Sequence, residues 1–163
     1  MSLSEEKYII DYEKVMETYS DMVYRIIVTI TGNGEDAKDA FQETFLRLVR
    51  NQHKIKDEEH LKAWLIRVSS NCAKSIVTNP WNKRTQGLDG TEEKEMFVQE
   101  ESHLLSEVKS LSSKYALPLY LFYYEEYSIK EIAVILEKNE NTIKTLLNRG
   151  RALLKKQLER GEG

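Results

Sequence analysis

Apolar residues recur three and four positions apart along most of this chain and almost nowhere alternate, so the pattern predicts helices throughout. From residue 8 to 30, Ile9, Tyr12, Val15, Met16, Tyr19, Met22, Val23, Ile26, Ile27 and Ile30 mark one long amphipathic helix. Thr31-Gly32-Asn33-Gly34 reads as a turn, and Asn33 with Glu35 and Asp36 starts a second helix that runs to about Asn51. Asp57, Glu58 and Glu59 open a third, which reaches about Thr78. Asn79-Pro80 stops it, because a residue before proline is driven out of the helical region. Residues 82–100 are polar, glycine-containing and weakly periodic, the character of a linker. Helices resume from about Glu101, and Ser112 or Ser113 caps the one containing Pro118 near its start, where a missing N–H costs least. The expected fold is all-α: two small helical domains joined by a flexible acidic linker.

The densest signal lies in residues 127–158, YSIKEIAVILEKNENTIKTLLNRGRALLKKQL. Ser128 and Glu131 form an S-x-x-E capping box, in which each side chain satisfies a free backbone N–H at a helix start. Ile129, Ile132, Ala133 and Leu136 then recur at helical spacing. Polar residues 137–141 interrupt them, with Asn139 or Asn141 placed to cap a further helix. In that helix Ile143, Leu147, Gly150, Leu154 and Leu158 share one stripe, while Lys144, Asn148, Arg151 and Lys155 fall within about 60° of one another elsewhere. Thr145, Arg149 and Lys156 flank that strip. Cations neutralise phosphates and Asn or Thr bonds base edges, so a short capped helix, a turn and a basic helix suit a DNA major groove. A solvated basic face is the plainer alternative; the preceding capped helix and polar turn favour DNA.

Two surfaces stand out in the first half. On the second helix Ala37, Phe41, Phe45 and Leu48 share the core face, whereas Leu46 falls roughly opposite, near Asp39, Gln42, Glu43 and Arg50. One apolar anchor inside a charged rim is the pattern of a protein-docking patch, although a single exposed leucine is also ordinary. The third helix carries two apolar stripes: Leu61, Trp64, Leu65, Val68 and Cys72 on one side, Ile66, Ala73 and Val77 on another. Between them Arg67, Asn71 and Lys74 form a polar ridge, followed by Trp81, Lys83 and Arg84. Cations, an amide and an aromatic suit a single nucleic-acid strand, through phosphate pairing, edge bonding and stacking. Alone, these residues fit equally a solvated ridge with Trp81 capping the core.

Composition narrows the partners. The 163 residues carry a net charge of -3. That is acidic for a protein that binds DNA unaided, since such affinity rests largely on phosphate neutralisation. The charge is uneven: residues 87–101 hold six acidic side chains and one Lys, while the C-terminal helix is basic. Weak DNA binding alone and dependence on a larger partner follow. A single cysteine, Cys72, excludes an internal disulfide and a cysteine-based zinc site, and reads as a small core residue in a reducing cytoplasm. The longest apolar run, residues 117–124, is far too short to span a bilayer, and the N-terminus lacks the basic-then-apolar order of a secretory signal.

Together these stretches resemble a bacterial sigma factor of the extracytoplasmic-function type, the small two-domain branch of the sigma-70 family. DAKDAFQETFLRLVR looks like the family's polymerase-clamp-binding helix, LKAWLIRVSSNCAKSIV like its promoter-melting helix, and the residues from Tyr127 to Leu158 like its C-terminal helix-turn-helix. The resemblance implies a domain at residues 1–84 for polymerase binding and −10 recognition, a linker at 85–104, and a −35-reading domain at 105–160. It implies that Asp39, Gln42, Glu43, Phe45 and Leu46 meet the clamp coiled coil. Asn71 matches the position that helps capture a flipped promoter base, and Lys74 with Trp81, Lys83 and Arg84 would lie along the opened strand. Lys144, Thr145, Asn148 and Arg149 match the −35-reading surface, with Arg151 a phosphate contact. The implied partners are RNA polymerase core, through its clamp coiled coil and flap, promoter DNA and an anti-sigma factor; no cofactor, metal or membrane insertion is implied. The implied location is the cytoplasm, at the nucleoid.

The chain departs from the family at several points. Glu137 and Lys138 stand where a turn glycine and an apolar residue are usual, so the turn is expected to carry about 1 kcal/mol of left-handed strain or to differ. Leu146 replaces a commonly basic residue, Ser75 stands where an amide often lies, and the loop after Pro80 has only two cations. Three rival readings remain open. Asp57-x-x-His60 and Glu100-x-x-His103 superficially resemble a helical di-iron site, without the two further inward carboxylates. An autonomous helix-turn-helix repressor or activator would bind a palindrome tightly alone. A degenerate sigma-like protein would dock on polymerase without initiating.

Overall fold

The computed structural model describes residues 7–32, 34–79, 108 and 111–162. Among them are six α-helices and one 3-10 turn, with no strand: α1 Tyr12–Thr31, α2 Glu35–Arg50, α3 Glu58–Thr78, α4 Ser113–Tyr123, α5 Ile129–Leu136 and α6 Glu140–Glu162. The linker expected at residues 82–100, the segment 85–104, and Trp81, Lys83 and Arg84 lie outside the described residues.

Local chemistry sets most helix ends. The Asp11 carboxylate accepts the Lys14 backbone N–H at 3.2 Å and so starts α1. Residues 8–11 are therefore not helical, and the expected start at residue 8 is corrected to Tyr12. The apolar period did continue through Ile9, but Ile9 is 82% exposed, so nothing rewards a helical turn there. Asp57 accepts from His60 N–H at 2.8 Å, while His60 Nδ1 accepts from Lys56 N–H at 3.0 Å. The Asp57–His60 pair is thus a helix cap, and among the described residues no group of three or more potential metal ligands assembles. Gly34, at φ 101°, is the residue before α2 and makes no side-chain cap. Ser112 precedes α4 but its hydroxyl makes no capping bond, and Pro118 sits six residues into that helix rather than in its first turn.

The first three helices pack on one another around Val23, Ile26, Ile27, Leu48, Leu61, Leu65 and Ile66, all fully buried. Cys72 lies in the same core, 2% exposed, where burial pushes its thiol up from the usual cysteine range. In the second half α4 crosses α6 closely at Gly150, where an added Cβ would stand 2.9 Å from Leu119 Cδ1. Ile132, Ile143 and Leu147 fill the angle between α5 and α6.

The halves also pack on each other, α1 against α4 and α3 against α5. At that seam Lys62 pairs with Glu125 at 3.0 Å and lies 5.2 Å from the Tyr127 ring centre. The Tyr120 hydroxyl donates to Glu125 at 2.7 Å. Arg25 of α1 faces Tyr120 as a positive charge, although its buried Nε has no partner. Three cations on the first half therefore meet carboxylates and phenols on the second, with Arg67 as the third.

Candidate nucleic-acid and protein-docking surfaces

The C-terminal unit is a helix-turn-helix. Ser128 accepts the Glu131 N–H at 3.0 Å and Glu131 accepts the Ser128 N–H at 2.9 Å, completing the capping box that starts α5. Glu137 ends α5 in the left-handed conformation, φ 58° and ψ 47°. Lys138 N–H then bonds back to the Ala133 carbonyl at 2.9 Å, a closure that satisfies a terminal helix carbonyl. Asn139, of the two candidates, caps α6, its side-chain Oδ1 accepting from Thr142 N–H at 2.8 Å. The turn forms without glycine, Glu137 taking up the left-handed conformation and its strain.

On α6 the buried stripe is Ile143, Leu147 and Gly150. Lys144, Thr145, Asn148 and Arg149 are all exposed, as a groove-reading surface requires. Arg151 differs. Its Nε donates to the Tyr123 hydroxyl at 2.8 Å and its Nη1 to Asn148 Oδ1 at 2.9 Å. Its guanidinium also lies 5.8 Å from the ring centres of both Phe122 and Tyr123. Tyr123, at the end of α4, is the neighbour that sequence reading missed; nothing local in the chain links it to α6.

On α2 Leu46 is 46% exposed and Asp39 and Gln42 are open to solvent. Glu43 is half-buried and accepts from Arg47 at 2.9 Å, with Arg50 at 3.5 Å. The Arg47 hydrogen bond is the main cause holding the Glu43 carboxyl below the usual carboxylate range. Phe45 lies at the margin, half-buried and packed on Phe41 with ring centres 5.0 Å apart. Val49, 49% exposed and one turn from Leu46, enlarges the apolar anchor. Its i+3 spacing was the available signal.

On α3 Asn71 and Lys74 are exposed, whereas Arg67 is drawn across the seam. Its Nε donates to the Ile135 carbonyl at 3.4 Å and its Nη1 lies 4.0 Å from Glu137. Partial desolvation, and secondly the charge of Lys138, push the Lys74 ammonium down from the usual lysine range. The ridge on α3 and the turn of the helix-turn-helix are thus neighbours.

Residues 15–80 match the family model of sigma-70 region 2, and residues 104–154 that of sigma-70 region 4. The chain is 28% identical over 167 residues to the ECF RNA polymerase sigma factor SigW of Bacillus subtilis (strain 168), covering 90% of this chain and 88% of that protein. It is also 28% identical to SigM of the same organism, covering 91% of this chain and 96% of that one. In structure it resembles the sigma factor RpoE from Bartonella quintana, solved with the anti-sigma factor NepR. That match has a TM-score of 0.70 and 18% identity, and covers 93% of this chain and 98% of RpoE. No helix among the described residues is long and apolar enough to cross a membrane.

Proposed function

Since the chain belongs to the extracytoplasmic-function branch of the sigma-70 family, we propose that it is a transcription initiation factor that binds RNA polymerase core, directs it to specific promoters and assists strand opening. It is a non-enzymatic subunit: it supplies recognition, and polymerase supplies the chemistry. Residues 1–84 act as the polymerase-binding and −10 module and residues 105–160 as the −35 module.

The observation that carries this reading is that a helix-turn-helix with Lys144, Thr145, Asn148 and Arg149 exposed shares a chain with an apolar anchor, Leu46, in a charged rim. Asp39, Gln42, Glu43 and Leu46, with Phe45 behind them, meet the polymerase clamp. Asn71 holds an extruded base, replacing part of the few kcal/mol of lost stacking and pairing. Lys74 follows the strand, with the loop containing Trp81, Lys83 and Arg84. Promoter DNA and polymerase are the working partners, in the cytoplasm, and an anti-sigma protein of the kind seen bound to RpoE is the restraining one.

Magnitudes support dependence on polymerase. A compact body of this length has a radius of gyration of about 15 Å. Elements at −10 and −35 are roughly 25 base pairs apart, or about 85 Å at 3.4 Å per step. The packed halves cannot reach both, so they must separate. The intervening residues 80–107 span at most about 95 Å when extended, which suffices.

Runoff transcription on a genomic library, with purified bacterial core enzyme plus and minus this chain, tests the proposal. New discrete start sites sharing upstream sequence are expected. Polymerase binding without new transcripts would mark a docking protein that does not initiate, and tight palindrome binding without polymerase would mark a repressor.

A further inference from the structure

We infer that Tyr123 and Arg151 act as a positioning pair that orients the Asn148 amide toward DNA, and so set the base preferred at the position Asn148 reads. This rests on the −35-reading role of α6. An asparagine amide has a donor end and an acceptor end, and it can ordinarily turn either one outward. Here it cannot do so freely. Arg151 carries only donors, so the Asn148 atom 2.9 Å from its Nη1 is the oxygen, and a flipped amide would set N–H against N–H.

Arg151 is itself held from the other side. The Tyr123 hydroxyl accepts its Nε–H at 2.8 Å, and the guanidinium lies 5.8 Å from the ring centres of both Phe122 and Tyr123. Rings at the end of α4 therefore fix the guanidinium, and the guanidinium fixes the amide. The Asn148 –NH2 group is left as the end free to meet DNA.

A donor turned outward selects acceptors in the major groove. Guanine offers N7 and O6 and thymine offers O4, whereas cytosine offers only its N4 amine. Adenine is read best by an asparagine using both ends of its amide, and that mode needs the oxygen that Arg151 engages. The position read by Asn148 therefore favours guanine or thymine, with adenine behind and cytosine last.

The test is base selection at the −35 element by the polymerase holoenzyme, over a range of salt concentrations. Asn148→Ala identifies the position by abolishing its preference. Tyr123→Phe keeps the ring and removes the hydroxyl. It should weaken the preference at that one position by about three- to tenfold and shift it toward adenine. That is less than the full worth of the charge-assisted bond removed, because the Phe122 and Tyr123 rings still hold the guanidinium. The other positions and the salt slope should stay unchanged, whereas loss of a phosphate contact would lower the slope by about one. An unchanged preference in Tyr123→Phe, or an equal loss at every position, overturns the inference.

A second measurement is independent of DNA. In the free protein the Arg151 Nε–H resonance should be protected from exchange, and Tyr123→Phe should expose it. An unprotected resonance in the original protein overturns the inference even if promoter selection is found. A protected resonance together with no −35 selection would leave the positioning intact and refute the DNA-reading role on which its use depends.

Discussion

Lys62 on α3 and Glu125 beyond the end of α4 meet at 3.0 Å, an ion pair between the two sigma-like halves. The Tyr120 hydroxyl bonds the other Glu125 oxygen at 2.7 Å, so the carboxylate is held from both halves at once. Its side chain is mostly screened from water, which makes the pair worth more than an exposed one. Glu125→Gln should cost about 1–2 kcal/mol in urea unfolding. It should also increase the distance between fluorescent labels placed on α2 and α6. Unaltered stability and distance would show that the seam is held by apolar contact alone.

The exposed α2 residues proposed to dock on polymerase can be changed without touching the core. Leu46→Glu should weaken affinity for polymerase core by about 10- to 100-fold, a loss typical of a central anchor, while the helical circular dichroism stays intact. Val49→Glu should act in the same direction and less strongly. Binding assays against purified core read both; undiminished affinity for Leu46→Glu would remove α2 from the polymerase interface.

The left-handed Glu137 yields a prediction of opposite sign. A non-glycine there carries about 1 kcal/mol of strain. Its contact with Arg67, 4.0 Å long between exposed groups, returns little. Glu137→Gly should therefore stabilise the protein and raise Tm by about 2–4 °C. A lower Tm would mean that the Arg67 contact outweighs the strain.

Gly150 separates two competing effects. Alanine there gains about 1 kcal/mol of helix propensity but places Cβ 2.9 Å from Leu119 Cδ1 and 3.3 Å from Tyr115 Cβ. The two effects nearly offset. Gly150→Val adds bulk without the propensity gain and should destabilise by about 1–3 kcal/mol. Chemical denaturation of both variants checks the ordering; a neutral valine would show that α4 and α6 can move apart.

Alkaline pH should loosen the seam. Burial, with nearby carboxylates, pushes the Tyr127 phenol up to about 12, and Tyr19 and Tyr120 are also raised. A folded-state pKa above the unfolded value contributes stability that is complete below about pH 10 and lost as pH rises through the folded value. Urea midpoints should hold to about pH 9.5 and then fall steeply toward pH 12. Tyr127→Phe should flatten part of that fall; an identical slope would place the proton release elsewhere.

Much of this protein is legible in its sequence, because it is written in short-range chemistry. The helical period, the helix start at Asp57, the capping box at Ser128, a cap at Asn139 or Asn141, and the exposure of Leu46, Lys144 and Asn148 each depend on residues within one or two turns. The start of α1 differs from the apolar pattern for the same reason: the spacing continues through Ile9, where the fold has nothing to bury it. The sequence by itself thus determined an all-helical chain, its helix-turn-helix and the family to which those motifs belong.

Only the tertiary structure decided how the cations are used. In the sequence Arg67 reads as part of a polar ridge and Arg151 as a phosphate contact, and nothing singles out Lys62. Their partners Glu125, Ile135 and Tyr123 lie 63, 68 and 28 positions away, and no periodicity carries information over such distances. Long side chains reach whatever the packed backbone brings near, so their pairing is a product of the fold.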